Sequence, residues 1–168
     1  MDCPIYYGRT RKKEVLSLNK ILNIVVISGK KKRGQSKSML SIHSIHHVSL
    51  CVTDLERAKA FYKEVLGLEE LERPPFDFAG AWFAVGSGGQ QLHLIVHPGE
   101  TIRKSGIDTR DGHLALRVKS YKEALAWLES CGIEYDARPH PRAGFPQIFI
   151  LDPDRNIIEL NSDICDID

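Results

Sequence analysis

His47-Val48-Ser49-Leu50-Cys51-Val52 and His113-Leu114-Ala115-Leu116-Arg117-Val118 decide the fold. Each run alternates apolar with other side chains, each opens on histidine, and the two lie 66 residues apart. The same offset pairs Ala58 with Ala124 and Phe61 with Trp127. Further along it pairs Leu92 with Ile158, His93 with Glu159, and Leu94 with Leu160. One offset held at both ends marks an internal repeat.

Working outward from the first run, Asp54 suits an N-cap, and residues 55–66 carry Ala58, Phe61, Tyr62, Val65 and Leu66 at helical spacing. Gly67 ends that helix. Strands are expected at about 45–52, 69–73, 81–85 and 91–97, the last three separated by Pro74-Pro75 and Gly86-Ser87-Gly88-Gly89. A polar linker, 98–111, follows. The second run opens the same order: a strand at 112–118, a helix at 121–130 closed by Gly132, and strands at about 134–138, 147–151 and 157–161. Asp152-Pro153-Asp154 makes the last turn. This predicts an α+β fold of two tandem βαβββ modules, about 43–98 and 111–163, forming a cupped eight-stranded mixed sheet within a domain spanning 42–163.

The charge distribution separates that domain from what precedes it. The net charge is +1, but residues 1–40 carry ten Lys/Arg against two Asp/Glu. Residues 1–41, with the run Lys30-Lys31-Lys32-Arg33, therefore read as a basic, disordered extension. A solvated leader is the simpler reading than a nucleic-acid or anionic-surface arm. No apolar run approaches the roughly 18 residues of a membrane span, and the largely apolar stretch 21–28, without a small-residue cleavage site after it, is not expected to be a secretory signal. The four cysteines, Cys3, Cys51, Cys131 and Cys165, lack CxxC spacing. Free thiols in a reducing cytoplasm are expected.

Strand alternation then sorts the polar residues. Val48, Leu50 and Val52 share one face of the first strand and leave His47, Ser49 and Cys51 opposite. Leu92, Leu94 and Val96 leave Gln91, His93, Ile95 and His97 opposite. Leu114, Leu116 and Val118 leave His113, Ala115 and Arg117 opposite. Ile158 and Leu160 leave Glu159 and Asn161 opposite. His47, His93, His113 and Glu159 thus share the face turned away from the helices. Three imidazoles and a carboxylate suit one divalent cation such as Zn²⁺, Ni²⁺, Mn²⁺ or Fe²⁺, with a position left for water or a small-molecule substrate. Alternation turns His46 to the other face. Phe76, Phe78 and Trp82 are candidates for an apolar substrate wall. Arg117, and Arg142 in a loop that also holds His140, are further candidate substrate contacts.

His47-Val-Ser-Leu-Cys-Val-Thr-Asp-Leu, Ala60-Phe-Tyr, Val65-Leu-Gly, Gly112-His-Leu-Ala-Leu-Arg-Val and Asp152-Pro-Asp-Arg-Asn-Ile-Ile-Glu-Leu resemble the vicinal oxygen chelate superfamily, over about residues 43–163. That superfamily includes glyoxalase I, bleomycin-resistance proteins, fosfomycin-resistance transferases and extradiol dioxygenases. The resemblance implies paired βαβββ modules, a central metal, a small-molecule substrate and a homodimer. By position it puts the metal sites on His47, His93, His113 and Glu159. Two positions depart from the glyoxalase I pattern: His93 stands where an acidic residue is usual, and Cys51 where bacterial forms often carry a glutathione-contacting Arg. The expected activity is a metal-dependent lyase or isomerase of the lactoylglutathione-lyase type, with Glu159 or His93 moving the proton. The alternatives are an Fe²⁺ extradiol-type dioxygenase, thiol or water transfer to fosfomycin, and a non-enzymatic binder of the bleomycin-resistance type.

Overall fold

The computed structural model describes residues 40–97, 99–101, 103–139 and 142–163. Most of the basic segment expected at 1–41 lies outside the described residues, as does His140. Residues from His43 onward gather into one compact unit.

The first module runs β1 (His47–Val52), α1 (Leu55–Ala60), β2 (Glu70–Leu71), β3 (Gly80–Val85) and β4 (Gln90–Val96). The second runs β5 (Leu114–Arg117), α2 (Tyr121–Ser130), β6 (Tyr135–Arg138), β7 (Gln147–Leu151) and β8 (Ile157–Asn161). The eight strands form two four-stranded sheets, ordered β1-β4-β3-β2 and β5-β8-β7-β6. In each, the first strand pairs parallel with the last, and the other neighbours are antiparallel. Identical order and pairing sense make the repeat structural as well as sequential. A parallel pair needs a crossover between its strands, and in both modules the helix supplies part of it.

The helices begin where the caps predict. The Asp54 carboxylate accepts from Arg57 N at 3.0 Å, and Ser120 Oγ accepts from Glu123 N at 3.3 Å. The first helix does not run as α-helix to Leu66. It changes after Ala60 into a π-helical turn, Phe61–Val65, with Leu66 N donating to Phe61 O at 3.2 Å. The wider turn sweeps fewer degrees per residue. It keeps the adjacent Phe61 and Tyr62 both buried, their rings edge to face at 5.3 Å. Gly67 and Gly132 close the helices at φ of 65° and 67°, a left-handed conformation that glycine adopts without a Cβ penalty.

The core lies between helices and sheets. Tyr62, Phe83, Leu92 and Leu94 fill it in the first module, and Leu128, Ile148, Ile150 and Ile158 in the second. Full burial of such side chains contributes about 1.5–3 kcal/mol each. Polar ties join the modules. The turn 152–156 reaches across: Tyr62 Oη donates to Asp152 Oδ2 at 2.8 Å, Thr53 Oγ1 to Asp154 Oδ1 at 2.5 Å, and Asn156 Nδ2 to Cys51 O at 3.1 Å. Trp127 Nε1 donates to Val65 O at 2.8 Å, tying α2 to the end of the first helix. Among the described cysteines, Cys51 and Cys131 are free thiols. No helix of the described residues is long and apolar enough to cross a membrane.

Candidate functional site

The fold collects the four candidate ligands as two pairs, one on each sheet. β1 and β4 lie side by side, so the parallel register sets His47 against Gln91 and Ser49 against His93. The imidazoles of His47 and His93 stack, with centroids 4.2 Å apart and planes 13° apart. On the other sheet, Ala115 faces Glu159, and His113 sits one residue before β5 begins. His113 Nε2 lies 3.2 Å from Glu159 Oε2. Among the described residues, no group of three or more His, Cys, Asp or Glu comes close enough to hold a metal ion. The structure brings the candidates together two by two.

The His113–Glu159 pair has a constrained proton count. His113 Nδ1 lies 2.9 Å from the carbonyl oxygen of Asp111. A carbonyl only accepts, so Nδ1 carries the hydrogen. In a neutral imidazole Nε2 is then a bare lone pair, and it faces a carboxylate oxygen. Two acceptors at that distance need a proton or a cation between them. The other carboxylate oxygen, Oε1, accepts from Asn161 Nδ2 at 2.7 Å, which fixes the carboxylate plane. Glu159 is only 4% exposed, whereas His113 is exposed. A buried carboxylate braced by an amide, opposite a histidine whose far nitrogen is held by a backbone carbonyl, is a donor set suited to a borderline divalent metal.

The His47–His93 pair differs. His93 Nε2 donates to Gln91 Oε1 at 2.8 Å, which leaves Nδ1 as the lone-pair nitrogen of the neutral ring. Burial, and then the nearby His47, His46 and Arg73, push the His93 pKa below its ordinary value. The ring is therefore neutral near pH 7, the form that ligates a metal or accepts a proton. His46 does not turn away from His47 as strict alternation implies. Their Nδ1 atoms are 2.8 Å apart and their rings meet edge to face at 5.1 Å. The strand starts at His47, so His46 precedes the pleat and is not bound by its alternation.

The aromatic candidates adjoin the first pair. Trp82 stands opposite His93 across β3 and β4 and stacks on it, with centroids 4.3 Å apart and planes 8° apart. Phe76 lies 5.9 Å from Trp82, and Phe78 lies 5.2 Å from Phe76. Arg117 shares the Glu159 face further along β5, where it pairs with Asp163 at 2.5 Å and lies over Phe145 at 5.5 Å. Arg142 occupies an exposed turn. His97 is exposed beyond β4 and lines a cavity of about 250 Å³ with Cys51, Thr53 and Asp154. Sequence reasoning gave no role to Gln91, Asn161 or Arg73. The first two lie two residues from His93 and Glu159 on the same strand face, so the alternation that found the candidates also points to them. Arg73 is placed by the loop after β2, for which no periodic signal exists.

Comparison with known proteins agrees with this architecture. Residues 44–160 match the family model of the Glyoxalase/Bleomycin resistance protein/Dioxygenase superfamily. The Arabidopsis thaliana protein named Glyoxylase I 4 is 32% identical over 127 residues, covering 72% of this chain and 71% of that protein. Lactoylglutathione lyase of Salmonella typhimurium is 32% identical over 124 residues, covering 68% of this chain and 88% of the enzyme. The crystal structure of a glyoxalase/dioxygenase from Nostoc punctiforme shares the fold with a TM-score of 0.63 at 24% identity, covering 77% of this chain and 99% of that one. With the duplicated module, the pairing order and these matches agreeing, the chain belongs to the Glyoxalase/Bleomycin resistance protein/Dioxygenase superfamily.

Proposed function

We propose that this chain is a divalent-metal-dependent, glyoxalase-like lyase or isomerase. Its substrate would be small and oxygenated, such as the hemithioacetal of a 2-oxoaldehyde and a thiol. The observation that carries this reading is His113 Nε2 facing the buried Glu159 carboxylate at 3.2 Å, with Nδ1 held by the Asp111 carbonyl. His113 and Glu159 would hold the metal together with His47 and His93. When bound, the metal would act as a Lewis acid on the substrate oxygens.

The residues divide the remaining work. Glu159 presents Oε2 to the site while Asn161 holds Oε1. A carboxylate so placed can take the proton from the hydroxyl-bearing carbon of a hemithioacetal and return it to the neighbouring carbon. The net change is an internal hydrogen shift, which needs no external oxidant or reductant. His93 is neutral and held at Nε2 by Gln91, so it can serve as a ligand or as the partner base. Phe76, Phe78 and Trp82 would wall the substrate and restrict water beside it. Arg117 and Arg142 are the basic groups available for an anionic part of the substrate.

One site of four ligands requires the two pairs to meet. We infer a homodimer in which the His47–His93 pair of one protomer completes the His113–Glu159 pair of its partner. A two-fold axis would form two such sites at once, since an isologous contact uses each patch reciprocally.

Elemental analysis of purified protein tests the metal, and turnover of methylglyoxal with a panel of thiols tests the chemistry. Wild type should hold about one metal per chain, while Glu159→Ala and His113→Ala should fall to background. Wild type that binds no metal after supply of Zn²⁺, Ni²⁺, Mn²⁺ or Fe²⁺ would overturn the metal site. Metal binding without turnover of any thiol adduct would overturn the lyase assignment alone.

A further inference from the structure

We propose that the aromatic segment beside His93 selects substrates that carry a planar aromatic substituent. This rests on the lyase reading and narrows its substrate class. The rings form one unbroken series. His47 stacks on His93 at 4.2 Å, His93 on Trp82 at 4.3 Å, Trp82 meets Phe76 at 5.9 Å, and Phe76 meets Phe78 at 5.2 Å. One end of the series is a candidate ligand, and the other is in solvent. Phe76 is 46% exposed and Phe78 42%. Two exposed phenylalanines side by side leave apolar surface in water that a ligand can cover.

These rings are held in place. The Arg73 guanidinium carbon lies 4.6 Å from the Phe76 centroid and 4.9 Å from that of Phe78. Arg73 also donates to Phe78 O at 2.8 Å, and Phe76 N donates to Pro74 O at 2.9 Å. Pro74 and Pro75 restrict the backbone leading into the pair. A wall ordered before the ligand arrives loses little conformational freedom on binding. A substituent on the carbons reacting beside His93 reaches Trp82 first and Phe76 next. A methyl group covers little of either ring. A phenyl group can meet Trp82 and Phe76 together, in the offset or edge-to-face contacts that aromatic pairs favour. Continuity with His93 favours a substrate over a second protein copy as the occupant. Ring contacts of this kind correspond to a preference of roughly tenfold for phenyl over methyl.

The test pairs binding with turnover, using the protein as purified. Mandelate and lactate, 2-hydroxy acids that differ by phenyl against methyl, are titrated by calorimetry. Phenylglyoxal and methylglyoxal are compared as substrates with the same thiols. Wild type should bind mandelate roughly tenfold more tightly than lactate. Phe76→Ala and Trp82→Ala should bring that ratio toward one, and Trp127→Phe, on the other module, should leave it unchanged. Equal affinities in wild type, or no measurable binding of either acid, overturn the proposal. A ratio unaltered in Phe76→Ala also overturns it, and a simultaneous change in oligomeric state would assign the rings to a protein interface. The acid ratio is read whether or not any glyoxal is turned over. Loss of the lyase reading and loss of this inference are therefore separate outcomes.

Discussion

His113 has one ring nitrogen committed to the Asp111 carbonyl and the other aimed at Glu159. Asn161 stands behind that pair, and its side-chain amide donates to the carboxylate's far oxygen. Its removal should therefore weaken metal affinity without removing a ligand. Asn161→Ala is expected to raise the metal dissociation constant by about 10–100-fold, measured by chelator competition. His93 supplies a second prediction at this scale. Burial first, then its neighbours, lowers its pKa below the ordinary 6.5. The folded state then binds fewer protons than the unfolded state between the two values, so stability rises with pH across that window. In metal-free protein this contribution is complete above 6.5 and is lost as pH falls through the lowered value. Urea unfolding at stepped pH should show wild type weakening below 6.5, and His93→Gln should flatten the slope. An identical slope in the variant would show that other groups set the acid sensitivity.

At the scale of elements, the turn after β7 is one tie between the modules, and its chemistry is buried. The Asp152 carboxylate accepts from Asp154 N, Asn156 N, Asn156 Nδ2 and Tyr62 Oη. Burial, followed by the Asp152 charge, pushes the Tyr62 pKa well above its ordinary value, so the phenol remains a donor. Tyr62→Phe removes one donor from a buried acceptor and should cost about 1–3 kcal/mol, read as a lowered urea midpoint at unchanged slope. Metal content should not change. The two-residue alternation and the caps made most elements legible. The π-helical turn was not, because it depends on two adjacent rings finding room in the core rather than on any local propensity. The start of β5 also shifted: His113 reads as a strand residue, but its ring folds back on the Asp111 carbonyl before the ladder with β8 begins.

For the whole molecule, the placement of the pairs makes a complementation prediction. If sites form between protomers, a variant lacking His47 and His93 and a variant lacking His113 and Glu159 should each be inactive alone. Refolded together in equal amounts, half the dimers are mixed, and each mixed dimer regains one of its two sites. Activity should recover to about a quarter of wild type. No recovery, with mixed dimers present by native mass spectrometry, would place the complete site within a single chain.

The sequence by itself determined the duplicated βαβββ order, the strand faces and the four candidate residues. All three follow from period-2 and helical patterning, which are local rules repeated at a fixed offset. Only the tertiary structure decided how those residues meet. It stacked His93 between His47 and Trp82, fixed the hydrogen on His113 through a backbone carbonyl, and set Arg73 over two exposed phenylalanines. It also divided the candidates into two pairs on separate sheets. Contacts of that kind join residues far apart in the chain, and their geometry depends on strand register and module packing, which no single strand's pattern encodes.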